Sequence, residues 1–124
     1  MAKYWYLGIG GIAGTFARYA LAGFIHRFTR TDFPYGTLGV NLSGCFLIGL
    51  FWALSEQKFL LSPNARVLLM TGFCGAFTTF STLILETANL LQDGEFLRAS
   101  INIFASVAAG FIVFRAGIFA GGLF

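Results

Sequence analysis

Residues 70–86, from Met70 to Glu86, read M-T-G-F-C-G-A-F-T-T-F-S-T-L-I-L-E, an apolar stretch interrupted by glycines and hydroxyls. Hydrocarbon offers the backbone no hydrogen-bond partner, so backbone that leaves the helix at membrane depth must be buried in protein or line a polar cavity. Gly72, Gly75, Thr78, Thr79, Ser81 and Thr82 therefore predict a break in a membrane-spanning helix, unwinding around residues 75–78, and an ion or substrate site there. Inward-turned carbonyls and the C-terminal end of the first half-helix suit a monovalent cation such as Na⁺. The N-terminal end of the second half-helix presents free N–H groups and suits an anion. A Ser/Thr-rich kink without a ligand is the plain alternative.

Working outward, the 124-residue chain is 57% hydrophobic and 10% charged, where a soluble domain carries about 25% charged residues. Sixteen Phe and sixteen Gly fit a lipid-facing surface over closely packed helices. Four apolar stretches, 4–28, 36–54, 65–91 and 96–119, each reach the length of about 20 residues that crosses a bilayer core. The expected fold is all-α: one four-span membrane domain over residues 1–124, with a broken third helix. Polar connections separate the spans: His26 to Pro34 with Asp32, Ser55 to Asn64, and Gln92-Asp93-Gly94-Glu95. Ser62 with Pro63 reads as a cap and first turn for the third span. Lys3 is followed by apolar sequence with no cleavage site, so the first span is expected to be retained. The chain is too short to hold two transporter repeats, so a pathway needs a second copy.

The charge of +3 is scattered, with no Lys/Arg run, and points to no nucleic acid. Lys3, Lys58, Arg66 and Arg115 at one end face Arg27, Arg30 and Arg98 at the other, too even a balance to set one orientation. Either an unseen factor fixes the topology, or the chain inserts both ways and pairs antiparallel. Gly10-x-x-x-Gly14 and Gly117-x-x-x-Gly121 have the spacing of tight helix contacts. Cys45 and Cys74 lie in apolar segments and read as buried free thiols.

Arg18, mid-span, is costly in lipid and must face protein or water. It either snorkels, supplies positive potential at the mouth of an anion path, or pairs with Glu86 or backbone carbonyls. Asn41 sits deep in the second span, as helix–helix glue or as an uncharged donor. Glu86 is the acid embedded in a span. With no His or second acid nearby, a structural role is favoured over proton coupling. Phe77 and Phe80 accompany the hydroxyls, and a phenyl edge is the positive end of its quadrupole. Weak, multiple contacts of that kind are what conduction needs. Asn102 and Ser106, one turn apart, extend a polar stripe on the fourth span. No Ser/His/Asp set, metal-ligand cluster, phosphate loop or acid pair appears, so an enzyme is not expected.

Gly10-Gly11-x-x-Gly14-x-x-x-Arg18-Tyr19, Gly36-Thr37-Leu38-x-Val40-Asn41-x-x-Gly44 and Gly72-Phe73-Cys74-Gly75-x-Phe77-Thr78-Thr79-Phe80-Ser81-Thr82 together resemble the Fluc (CrcB) family of fluoride channels. The resemblance covers essentially the whole chain, and its third motif is highly specific. It implies an antiparallel, dual-topology homodimer in the bacterial inner membrane, with two fluoride pores and a structural Na⁺ at the dimer centre. The Na⁺ would be held by the carbonyls of Gly75 and Thr78. Asn41, Phe80, Ser81 and Thr82 would line the fluoride path, with Ser106 on the fourth span, and Arg18 would match the family's first-span Arg. Three residues after the first pore Phe the family usually has a second, and this chain has Leu83, which lacks a positive ring edge; either conduction is slower or Phe77 or Phe104 compensates. The implied function is passive export of fluoride. The alternative is a proton-coupled exporter like the small multidrug family, which relies on a first-span acid where this span has Arg18. A non-conducting membrane assembly subunit is a third reading, and it leaves the hydroxyl-lined break without a purpose.

Overall fold

The computed structural model describes residues 1–31 and 33–124; Asp32, in the first connection, lies outside them. The described residues are helical, with no strand. Helix α1 spans Ala2–Thr29 and α2 Tyr35–Glu56. The third span is composite: α3 (Pro63–Arg66), a π-helical segment Val67–Cys74, α4 (Gly75–Phe77) and α5 (Phe80–Gln92). Helix α6 covers Phe96–Gly122. All four spans are long and apolar enough to cross a membrane.

Local chemistry sets the ends. Arg30 leaves α1 in the left-handed region (φ 43°), its N–H returning to the His26 carbonyl at 3.4 Å. Ser62 Oγ accepts from the Ala65 N–H at 3.1 Å with Pro63 in the first turn, the cap its sequence predicts. Gly94 (φ 76°) turns the chain between α5 and α6, a conformation that only glycine adopts without strain.

Two backbone-close seams hold the spans together. A Cβ on Gly10 would strike the Leu68 carbonyl and one on Gly14 the Phe73 carbonyl, so α1 lies directly on the π-helical segment. On the other side a Cβ on Gly117 would strike the Phe46 carbonyl, and one on Gly121 would lie 2.9 Å from the Leu50 carbonyl, which seats α6 on α2. Both Gly-x-x-x-Gly pairs thus serve as helix contacts. The interior is small: Val40 and Ala53 are fully buried, while Phe16, Phe80, Phe111 and Phe119 stand outward. An apolar exterior over a small-residue interior is the pattern of a chain surrounded by lipid or by another copy.

Candidate ion-path site

Helical geometry ends at Phe77 and resumes at Phe80. Between them Thr78 (φ −90°, ψ 157°) and Thr79 (φ −149°, ψ 118°) are extended. The unwinding expected around residues 75–78 is displaced toward the later residues, since Gly75 is helical (φ −62°, ψ −38°). The reason lies on α2. Asn41 Nδ2 donates to the Thr79 carbonyl at 3.0 Å, and the Thr79 N–H donates to Asn41 Oδ1 at 2.8 Å. A side-chain amide thus replaces both ladder bonds of one residue, and extended backbone is tolerated where such replacements exist.

That exchange has consequences for neighbouring carbonyls. In a continuous helix the Thr79 N–H would donate to the Gly75 carbonyl; here Asn41 receives it. The Thr82 N–H, the ordinary partner of the Thr78 carbonyl, turns to Thr79 Oγ1 at 3.3 Å as an N-cap. Both carbonyls are relieved of their helical donors. The Ala76 carbonyl is taken by Arg18 Nε at 3.0 Å. Arg18 therefore pairs with backbone at the C-terminal end of α4, where a cation is favourable. It does not pair with Glu86, which accepts a short hydrogen bond from Thr37 Oγ1.

On the other side of the break α5 begins, capped by Thr79, whose Oγ1 also donates to Thr82 Oγ1 at 3.0 Å. Phe80 is 73% exposed and Ser81 is exposed beside it in the first turn. The α5 N-terminus is thus an electropositive end flanked by two hydroxyls and an exposed ring.

Asn41, Gly75, Thr78, Thr79, Phe80, Leu83 and Ser106 line one groove of about 390 Å³. Ser81, Thr82, Arg18 and Glu86 are not on its wall. Ser106 Oγ donates to the Asn102 carbonyl at 2.6 Å. Asn102 Nδ2 donates to Thr87 Oγ1 at 2.9 Å, tying α6 to α5, while Asn102 Oδ1 is buried without a partner. Phe77 is not on the wall of this groove: it is 4% exposed and stacks on Phe73 at 5.4 Å. Phe104 is 71% exposed on α6, away from the groove lining. Among the described residues no three His, Cys, Asp or Glu side chains gather to hold a metal. Sequence reasoning missed Thr37, whose hydroxyl one turn before Asn41 was the available signal. It also missed Thr87 and the role of Thr79, whose partners come from distant segments.

Residues 5–118 match the family described as CrcB-like protein, Camphor Resistance (CrcB). The chain is 42% identical over 121 residues to a protein of Desulforapulum autotrophicum named fluoride-specific ion channel FluC, covering 98% of this chain and 97% of that one. A protein of the same name from Solidesulfovibrio magneticus is 43% identical over 99% of this chain and 98% of its own length. The Chlorobaculum tepidum protein so named is 52% identical over 84% of this chain and 82% of its own.

Proposed function

The chain belongs to the CrcB-like family, a family of multi-pass membrane channels and not of enzymes, and on that premise we propose that it conducts fluoride. The observation that carries the reading is the Asn41–Thr79 exchange. It frees the Gly75 carbonyl, while the Thr79 cap that starts the next helix frees the Thr78 carbonyl.

Fluoride is small and strongly hydrated, so a path must replace its water with dense, weakly trapping donors. The first-turn N–H groups of α5, the hydroxyls of Ser81 and Thr82, the second N–H of the Asn41 amide and the edge of Phe80 supply such donors. Ser106 extends the wall on α6. Leu83 offers packing where a ring edge would offer charge. Glu86 accepts from Thr37 and stays off the groove wall. Arg18 contributes positive potential from the α4 end without entering the groove.

The donor set at the break also fits Na⁺. The carbonyls of Gly75 and Thr78 are hard oxygens, and hard cations take about six oxygen ligands. One chain offers too few, and an antiparallel second copy would double them across a two-fold axis in the membrane plane. The assembly inferred is therefore a dual-topology homodimer in the bacterial inner membrane, releasing cytoplasmic fluoride passively, with Na⁺ as a structural ion.

Flux from liposomes tests this. Fluoride-loaded vesicles with a potassium shunt should empty rapidly without a proton gradient. Efflux that requires a proton gradient, or movement of a lipophilic cation instead, would favour the small multidrug-type exporter.

A further inference from the structure

Cys45 and Cys74 have no part in the path above, yet both thiols are free and both line the same groove. The antiparallel register of α2 against the third span places them. Thr37 lies across from Glu86, Asn41 from Thr79 and Gly44 from Thr78. Beyond these pairs, Cys45 and Ile48 on α2 and Cys74 on the third span line the groove. Met70 lines the groove as well, one turn before Cys74 on the same helix. Cys45 Sγ stands 3.3 Å from where a Cβ on Gly110 would be, so the sulfur reaches toward α6, whose Ser106 and Val107 close the groove. Two thiols and a thioether from two helices thus share one wall that holds no His, Asp or Glu.

Such a set is soft. Thiolate and thioether ligands select Cu(I)-like ions over hard cations. We propose that this groove is a binding site for a soft monovalent cation of the Cu(I)/Ag(I) class, held by Cys45, Cys74 and Met70. One thiol gives its proton to water as its S–metal bond forms; the second thiol and the thioether donate lone pairs as neutral ligands. Thiolate and monovalent cation cancel, whereas a second deprotonation would leave a net charge in an apolar surrounding at high cost. No sulfur changes oxidation state. Because Asn41, Thr79 and Phe80 share the groove, an ion held there would obstruct the path; that consequence alone rests on the fluoride-channel reading.

Silver nitrate in chloride-free buffer is the probe, with purified full-length protein. Bound silver measured after ultrafiltration should reach about one ion per chain, releasing about one proton each, as expected for one shared soft site. Cys45→Ser and Cys74→Ser should each weaken binding by at least about tenfold, the smaller end of what even outer-shell changes cost a metal site. Two silver ions per chain, each lost with its own cysteine and leaving the other's affinity unchanged, would overturn the shared site. So would equal binding by wild type and the doubly substituted chain. Should a variant fail to fold, the unmodified protein carries the test by mass spectrometry. A single equivalent of silver protects both thiols from alkylation if they share the ion, and only one if they do not. In liposomes, silver should slow fluoride efflux by wild type and not by the doubly substituted chain. Silver binding with no fluoride flux at all would count against the channel and leave the site standing.

Discussion

Asn41 spends its amide on backbone. Its oxygen accepts from the Thr79 N–H and its nitrogen donates to the Thr79 carbonyl, so its first duty is to keep two residues extended inside a span. Asn41→Asp keeps the acceptor but sets a second oxygen against the Thr79 carbonyl. Leaving one buried polar group unsatisfied costs about 1–3 kcal/mol, and the added charge raises that. The expected result is a lower unfolding temperature in detergent together with lost fluoride efflux. Full efflux by the Asp variant would remove Asn41 from the proposed path. Arg18 acts at the same scale: Arg18→Gln surrenders a charge-assisted bond to the Ala76 carbonyl, a class worth about 1.5–3 kcal/mol. Thermal unfolding of the Gln variant should show a loss of that order, and an unchanged transition would mean that the guanidinium does not cap α4.

At the scale of elements, the two halves of the third span rest on different partners. The π-helical half is seated on α1 through Gly10 and Gly14, whereas α5 is tied to α2 and α6 through Thr37–Glu86 and Thr87–Asn102. The π-helical turns themselves are rare and commonly mark functional positions; nothing in the residue types of Val67–Cys74 announces them. Gly117→Leu would push α6 off the Phe46 carbonyl on α2. Overpacking of this kind costs about 1–3 kcal/mol or more, and the monodisperse peak in size-exclusion chromatography should shrink. The Asn102–Thr87 pair predicts the opposite sign when both members change. Asn102 Oδ1 is already unpartnered, so Asn102→Leu with Thr87→Val removes an unsatisfied group along with the bond. Replacing both partners by apolar groups of similar shape is near neutral or stabilising; a large drop in thermal stability would mean that the orphan oxygen is satisfied in the membrane.

For the whole molecule, the telling property is how little of it is interior. Phe80, Phe104 and Phe111 are more than two-thirds exposed, and the groove with its freed carbonyls opens on the outside of a single chain. A second copy would both cover such a face and complete an oxygen cage. The near balance of basic residues at the two ends of the bundle permits that copy to insert upside down. Ser62→Lys with Asn64→Lys adds charge to one end and should force a single orientation. If antiparallel pairing makes the path, most of the efflux should vanish while the chain still inserts. Undiminished efflux from a chain proven to face one way would discard the inverted dimer.

Length, apolar runs and the hydroxyl-rich interruption determined from sequence alone that this is a four-span membrane chain whose third span is interrupted near residue 78. Those features are local: twenty apolar residues must cross a bilayer and lone polar groups must find partners, whatever the fold. The Gly-x-x-x-Gly spacing likewise foretold contacts, though not which helix each would meet. Tertiary structure alone decided the rest. Whether Gly75 or Thr79 leaves the helix depends on where Asn41 comes to lie, 38 residues away in sequence. That Glu86 meets Thr37 instead of Arg18, and that Cys45 faces the groove with Cys74, follow from the register between two antiparallel helices. Register is set by packing across a seam, and no single stretch of sequence contains both of its sides.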